Sequence, residues 1–246
     1  LHADYSELII WAKELIKGNS FLPGKLSYID KSSSKIILNS GSHTLHIPRL
    51  IDLPQGCERD IVTALKTVYE FTGINDFTAH PDELSQTRFS EIYNLLPDYL
   101  RISIENMDIR KKNFQSLDEI AFLFHKYKNL SFTFDICHWL ELGEKLDSLK
   151  LNIFLRKFAD RLKKVHFSVP KSSWGVLSEH PEIITTHHLT CFSENNLSIQ
   201  FLNTITDDLT WVIEGVIPKG NFKSVLDKAV YLSQLISLDQ PKDKAA

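Results

Sequence analysis

Seven histidine, aspartate and glutamate side chains recur at one place in the sequence pattern, at or near the end of a short apolar run. They are His46 in LHIP, His80 in AHP, Glu105 in SIEN, Asp135 and His138 in FDICH, His166 in VHFS, and Glu214 in VIEG. Asp and Glu are rarely buried in strands unless they are paired or bind a metal. The recurrence therefore predicts one shared polar site.

The ligand chemistry of this set is that of a metal centre. Four imidazoles and three carboxylates offer nitrogen and oxygen donors that suit zinc, manganese or iron. Seven donors exceed the needs of one tetrahedral ion, so they suit two ions, or three, that share a bridging carboxylate. Such ions, about 3.5–4 Å apart, generate hydroxide and clamp an in-line phosphoryl displacement. His187 and His188, in ITTHHLT, could add a further ligand.

The elements that must position these residues alternate along the chain. The apolar runs HTLHIP, DFTAHP, LRISIEN, LSFTFDICH, KKVHFSVP and LTWVIEGVIP alternate with helices predicted around 58–72, 88–96, 116–128, 148–162 and 222–238. Strand followed by helix, repeated, indicates βαβ units around a parallel sheet. In an α/β barrel the carboxyl ends of the strands meet on one face, where active sites lie. We therefore predict a TIM (β/α)8-type barrel whose strand ends carry the site.

The N-terminal part departs from this alternation. Residues Asp4–Gly18 show the apolar spacing of an amphipathic helix. If HTLHIP is the third strand, two strands and two helices must fit into residues 1–42, where only the short runs KLSYID and SKIILNS are rich in β-formers. We expect the barrel to be irregular or incomplete at its N-terminus. Residues 168–193 are the main irregular stretch and are expected to form a functional loop or a loop with a short helix.

Length, charge and cysteine content limit the classes of protein to which this chain could belong. A chain of 246 residues fits one domain, 1–246. The net charge of -3 and the pI near 6.4 give no basic footprint, so contact with nucleic acid must come from a local patch. The cysteines are few and widely spaced, as expected for reduced thiols. Without a signal peptide or an apolar run of about 18 residues, we expect a cytoplasmic protein that does not bind membranes.

Several other chemistries lack their motifs. The sequence contains no GxGxxG or GxxxxGK[ST] phosphate loop, no GxSxG elbow and no CxxC pair. Nucleotide binding by a phosphate loop, serine nucleophile chemistry and dithiol chemistry are therefore unsupported.

The order of the strand-end motifs resembles the xylose isomerase-like TIM barrels, and within them the endonuclease IV-type enzymes (AP endonuclease family 2). FDICHW resembles that family's Asp-Thr-Cys-His signature, AHPDEL its His-Pro-Gly element, and SIENM its Ile-Glu-Asn strand. The resemblance covers the chain from HTLHIP to the last predicted helix. It implies a single barrel domain with a multinuclear metal site.

The resemblance also implies a role for each residue. Glu105 would bridge two ions, and Glu105 and Glu214 are the expected catalytic residues. The implied ligands are His46 and His80 on one ion, Asp135, His166 and Glu214 on the other, and His138 and His187 on a third.

Three departures separate this chain from the family pattern. The third ion of the family also uses an Asp two residues before the matched His, and here Thr185 stands there. SIENM is followed by DIRKK where the nucleases have a Gly-Gln-Gly stretch. Arg49 and Leu50 stand where the repair enzymes present an aromatic residue and a leucine to the duplex, so only half of that wedge is kept.

Three functions fit these observations. The first is a metal-dependent phosphodiesterase or endonuclease that acts on abasic or otherwise damaged DNA, with two divalent ions, zinc or else manganese or iron, and a third that Thr185 puts in doubt. The second is a sugar isomerase or epimerase with one ion, whose two glutamates move the proton and whose His46 and His80 bind a sugar or small phosphorylated substrate. The third is a degenerate barrel without catalysis. The number of bound ions discriminates between them.

Overall fold

The structure is a computed structural model that describes residues 5–18, 45–48, 53–81, 86–109, 111–142, 148–167, 169–170, 188–189 and 209–213. The helices are α1 (Tyr5–Ile16), α2 (Glu58–Thr72), α3 (Gln86–Leu95), α4 (Leu117–Lys126), α5 (Ile136–Glu141) and α6 (Ser148–Lys157). The strands are β1 (Leu45–His46), β2 (Asp76–Ala79), β3 (Arg101–Glu105), β4 (Ser131–Asp135), β5 (Leu162–Phe167), β6 (Val169–Pro170), β7 (His188–Leu189) and β8 (Thr210–Ile213).

Six strands form one sheet, in the order β1-β2-β3-β4-β5-β8. Parallel pairing is described for β1 with β2, β2 with β3, β4 with β5, and β5 with β8. Strands β6 and β7 form a separate antiparallel pair. Parallel strands that alternate with helices confirm the predicted α/β class.

The side chains of the strands fall into two series because successive residues point to opposite faces. One series is apolar and contains Phe77, Ile102, Ile104, Phe132, Phe134 and Val165. The other is polar and contains Thr78, Ser103, Glu105, Thr133, Asp135, Lys164 and His166. Register partners such as Thr78 with Ser103 and Asp135 with His166 belong to the same series. Both series are buried, so the polar side chains need partners within the protein.

The chain divides into two compact units, Leu1–Glu105 with Ala121–Ser131, and Asn106–Ile120 with Phe132–Ala246. That residues 1–246 form one domain stays a prediction. No helix in the described ranges is long and apolar enough to cross a membrane.

In the first unit, α1 packs against α2. Helix α1 buries Leu8, Trp11, Ala12 and Leu15, the spacing of one helical face. It is followed by Gly18, which has a φ of 78° and donates its backbone N–H to the carbonyl of Leu15. The amphipathic helix predicted for this part of the sequence is confirmed.

Helix α2 occupies the predicted range and ends at Gly73, which lies in the left-handed region with a φ of 75°. Its N–H donates to the carbonyl of Tyr69 at 2.8 Å, and this closes the last turn. Cys57, just before α2, is buried, as is Cys137, and neither forms a disulfide. Burial raises the pKa of the Cys57 thiol.

Arg88, on α3, hydrogen-bonds both to the loop before α2 and to the first residue of α2. Its Nε donates to Glu58 Oε1 at 2.7 Å, its Nη1 donates to the carbonyl of Leu53 at 2.8 Å, and its Nη2 donates to the carbonyl of Pro54. The hydrogen bond from Arg88 holds the pKa of the Glu58 carboxyl below its usual value. One guanidinium therefore fixes three points of this segment.

In the second unit, aromatic rings pack between α6 and β4. Phe154 lies 5.6 Å from Phe132 and 4.9 Å from Phe158 between ring centroids. The predicted helix over 148–162 is shorter than expected, since α6 ends at Lys157 and β5 begins at Leu162. The backbone turns there, with the N–H groups of Arg161 and Leu162 both donating to the carbonyl of Phe158.

The segment FDICHW lies at a strand end, as predicted, and continues directly into a helix. Strand β4 stops at Asp135 and α5 begins at the next residue. The cause is local, because Asp135 Oδ1 accepts the backbone N–H of His138 at 2.7 Å, which is the hydrogen bond of a helix N-cap. His138 is therefore a helical residue.

The Arg88 contacts generate a prediction about stability and pH. Arg88→Gln removes the charged hydrogen bond to Glu58 and should lower the free energy of unfolding by about 1–3 kcal/mol at neutral pH. Because the folded-state pKa of Glu58 is lowered, this contribution is present above the unfolded pKa and is lost as pH falls through the folded pKa. The difference between wild type and variant should thus shrink below about pH 4, measured by denaturant unfolding over a pH series.

Arg156→Gln is the matched control, because Arg156 is exposed on α6. It should change stability little at any pH. A stability difference for Arg88→Gln that stays constant into the acid range would show that Glu58 is not the partner that matters.

Candidate metal centre

The first group of donors lies in the first unit and consists of His46, His80 and Glu105. The Nε2 atoms of His46 and His80 lie 3.9 Å and 3.3 Å from Glu105 Oε2. The two rings meet edge to face, with centroids 5.2 Å apart. One ligand atom from each residue lies within 4.8 Å of the others. Both imidazoles therefore approach the same carboxylate oxygen.

The strands bring these three residues together through their register. His46 pairs with Thr78, and Thr78 pairs with Ser103, so residues 46, 78 and 103 share one series of side chains. His80 lies two residues after Thr78, and Glu105 lies two residues after Ser103, so both stay in that series. The sequence pattern placed all three at strand ends, and the structure agrees.

The separations suit a metal ion better than a direct ion pair. A charge-assisted hydrogen bond has a length of about 2.7–2.9 Å, and both distances exceed it. Donors on one zinc ion, each bonded at about 2.0–2.2 Å, lie farther apart than that. Glu105 is 1% exposed, and a buried carboxylate needs a compensating positive charge. The donor set therefore fits a divalent ion.

The second group lies in the second unit and centres on Asp135. Its carboxylate is fully buried, with Oδ1 accepting the backbone N–H of His138. Asp135 Oδ2 lies 3.8 Å from His138 Nδ1. His166 is the register partner of Asp135 on β5 and is 1% exposed. The helix cap uses Oδ1 of Asp135, and Oδ2 faces the ring of His138.

Asn106 clamps Asp135 from the residue after β3. Its side-chain Nδ2 donates to the carbonyl of Asp135 at 2.9 Å, and its Oδ1 accepts the N–H of Asp135 at 2.8 Å. These are the two bonds that a neighbouring strand would make with that residue. Asn106 is itself buried. A side-chain amide therefore fixes the backbone that carries the carboxylate.

The ring of His138 is oriented by the same asparagine. His138 Nδ1 lies 2.7 Å from the carbonyl oxygen of Asn106, and a carbonyl can only accept, so Nδ1 carries the proton. The neutral ring then has its lone pair on Nε2. This is the arrangement by which outer partners orient a histidine ligand. His138 Nε2 lies 3.8 Å from Asp108 Oδ2.

Six of the eight predicted ligands lie within the described residues. They are His46, His80, Glu105, Asp135, His138 and His166. His187 and Glu214 lie outside the described residues, as do Arg49, Leu50 and Thr185. As metal ligands, all eight stay predictions.

Two residues of the second group were missed by the sequence analysis. Asn106 was noted only as part of SIENM, although its position directly after a strand-end Glu marks it as polar and buried. Asp108 was noted only within the departure DIRKK, yet it is 2% exposed. Neither Asn106 nor Asp108 belongs to a strand or a helix. A repeating sequence pattern therefore does not predict their contacts, which depend on the path of the loop.

Comparison with solved structures shows which known folds this chain resembles. Endonuclease IV from Thermus thermophilus is similar with a TM-score of 0.56 and 14% identity, over 95% of this chain and 97% of that one. SacUVDE is similar with a TM-score of 0.53 and 19% identity, over 92% and 86%. AsfvAP:AG gives 0.51 and 12%, over 79% and 74%.

A scan of protein-family models and a search of curated proteins found no match to the sequence. At the identities above, the structural likeness establishes a common fold. It confirms the TIM-barrel type that the motifs predicted by resemblance to the endonuclease IV-type enzymes. The described part of the chain contributes six parallel strands to it, consistent with the expected incomplete barrel.

The Asn106 clamp predicts a substitution effect. Asn106→Asp keeps an acceptor for the N–H of Asp135 but loses the donor to its carbonyl, and it adds a buried negative charge. We expect a loss of about 1–3 kcal/mol in the free energy of unfolding and about 10–100-fold weaker metal binding, measured by denaturant unfolding and by titration with zinc.

Asn94→Asp is the control, because Asn94 is exposed on α3 and the chemical change is the same. It should leave both quantities almost unchanged. Wild-type stability and metal affinity in Asn106→Asp would contradict the role of Asn106 as a clamp.

Proposed function

We propose that the protein is a metal-dependent phosphodiesterase of endonuclease IV type that cleaves damaged DNA. The observation that carries this proposal is the pair of imidazoles, His46 and His80, directed at one oxygen of buried Glu105. This is the geometry expected of a carboxylate that shares metal ions with two histidines. The resemblance in sequence motifs and the common fold with endonuclease IV support the same reading.

The position of Glu105 weighs against the isomerase alternative. A glutamate that moves protons on a sugar must face the substrate at hydrogen-bond distance. Glu105 is instead 1% exposed and lies close to two imidazoles, which in an isomerase would be substrate binders. His80, at 26% side-chain exposure, is the most accessible member of the group. The arrangement supports Glu105 as a metal ligand.

We propose that the ligand set implied by the sequence motifs binds more than one divalent ion. By the resemblance, His46 and His80 would hold one ion, Asp135, His166 and Glu214 would hold another, and Glu105 would be the carboxylate that both share. Zinc suits this mixture of imidazole and carboxylate, with manganese or iron as alternatives. When bound, the ions supply a hydroxide nucleophile at neutral pH and neutralise charge on the phosphoryl oxygens.

The protein residues contribute position and a dry environment. Asn106 and the helix cap hold Asp135 in one orientation. The apolar series behind the ligands, including Ile104 and Phe134, excludes water from the sheet on that side. Rigid donors in a low-dielectric site act more strongly on developing charge than the same groups in water.

A damaged DNA substrate requires local positive charge, because the net charge of the chain is -3. The loop after β3 supplies a candidate surface for contact with DNA. Ile109 is 50% exposed and Lys112 is exposed, both within a few residues of Asn106. Lysines contact phosphates without regard to sequence, and an exposed apolar side chain can pack on an unstacked base. We propose that this loop contacts the DNA backbone.

Glu105→Gln tests the metal site. The substitution keeps the shape of the side chain but removes its charge, so a bridging role predicts that the ions are lost together. We expect wild type to bind two or more ions. We expect Glu105→Gln to lose all the ions that Glu105 holds. Cleavage of a duplex with one abasic site should fall by more than about 100-fold. Metal content by mass spectrometry and a gel-based cleavage assay measure both.

Glu91→Gln, exposed on α3, is the control and should keep both metal and activity. A single ion together with turnover of a ketose panel would favour the isomerase instead. A folded wild-type protein that binds no divalent ion would favour the degenerate barrel.

Lys112→Gln tests the DNA contact. Loss of one phosphate contact should weaken binding of an abasic duplex and reduce by about 1 the slope of log affinity against log salt. Fluorescence anisotropy over a salt series gives both values. Lys66→Gln, exposed on α2, should leave the slope unchanged. An equal slope for Lys112→Gln and wild type would place the DNA elsewhere.

A further inference from the structure

Lys164 is a buried lysine to which the proposed function gives no role. It lies on β5, two residues before His166, and is 3% exposed. Lysine side chains usually cover only their stem and keep the ammonium in water, and at this exposure the whole side chain is enclosed. A buried ammonium is costly unless negative charge or hydrogen-bond acceptors surround it. The charge of Lys164 is therefore balanced inside the protein.

The register of the sheet shows which groups share the face of Lys164. Lys164 pairs with Thr133 on β4 and with Thr210 on β8. Both threonines offer a hydroxyl and no charge. Two residues further along the strands, in the same series, Asp135 pairs with His166. Within the described strands β4, β5 and β8, Asp135 is the one carboxylate.

The dimensions of a sheet bring Lys164 and Asp135 within reach of each other. Neighbouring strands lie about 4.8 Å apart, and two residues span about 6.6 Å, which the four-carbon stem of a lysine can largely cover. The carboxylate of Asp135 is fully buried. Opposite charges attract strongly where the dielectric is low, so each reduces the cost of burying the other.

We infer that the Lys164 ammonium balances the Asp135 carboxylate in the metal-free protein and limits the affinity of the site for a divalent ion. The inference rests on the proposed function, in which Asp135 and His166 are ligands. An ion there brings two more positive charges to the face that carries Lys164, and the low dielectric screens their repulsion poorly. The fold then does not depend on the ion, which binds more weakly than its ligands alone would hold it.

The zinc affinity of Lys164→Met tests the inference. The variant keeps the stem and removes the charge, so zinc should bind at least about 10-fold more tightly than to wild type, measured by competition with a chromophoric chelator. Without zinc, the variant should unfold at a lower denaturant concentration, because Asp135 loses its opposite charge. Lys163→Met is the matched control. It makes the same change at the preceding residue, on the opposite face of β5, and should keep the wild-type zinc affinity.

Two further variants separate the charge of Lys164 from its shape. Lys164→Gln is neutral and keeps a hydrogen-bonding end group, so it should show the same gain in zinc affinity even where Lys164→Met does not fold. Lys164→Arg keeps the charge and should retain the wild-type affinity. Equal zinc affinity in wild type and Lys164→Gln, or an equal gain in Lys164→Arg, would overturn the inference and leave the proposed function standing. If neither wild type nor any variant binds zinc, the proposed function fails and the inference fails with it.

Discussion

Burial of carboxyl groups along the strands is the constraint on which the rest of this structure depends. Glu105 and Asp135 are 1% and 0% exposed, and an isolated buried charge costs several kcal/mol even after the protein relaxes. Hydrogen bonds from the protein offset part of that cost, as the N–H of His138 does for Asp135. The imidazoles around each carboxylate are donors for the cation that would offset more of it. The strands therefore carry a set of side chains that is costly without an ion and favourable with one.

The same interactions link the site to the fold. Asp135 ends β4, caps α5 and offers its second oxygen to the site, so one side chain serves the backbone and the chemistry. Asn106 replaces a strand partner for Asp135 and orients His138 through its carbonyl. A change at either residue should therefore alter stability and metal affinity together. Residues that only hold the scaffold, such as Arg88, should change stability alone.

The strand-borne part of the site could be predicted from the sequence because it follows a simple rule. Side chains alternate along a strand, and parallel strands end at a common edge, so His46, Glu105 and Asp135 stood out as polar residues at the ends of apolar runs. Helix α2 was equally clear, since its apolar spacing is regular and Gly73 marks its end.

The features that the sequence did not predict depend on contacts between particular residues, which a repeating sequence pattern does not show. His138 was predicted at or near a strand end, but the sequence does not show that the Asp135 side chain caps a helix that begins directly after β4. Asp108 sits in a loop without repeating pattern, and its approach to His138 follows from the turn at Phe114. The runs KLSYID and SKIILNS and the predicted ligands His187 and Glu214 lie outside the described residues, so what was expected of them stays a prediction.

The central claim is that buried carboxylates and histidines hold divalent ions. A crystal structure of zinc-loaded protein, with anomalous diffraction recorded at the zinc absorption edge, tests it most directly. The account predicts anomalous peaks at about 2.0–2.2 Å from Glu105, His46 and His80 and from Asp135 and His166. A map without such peaks, with the imidazoles hydrogen-bonded directly to the carboxylates, would contradict it.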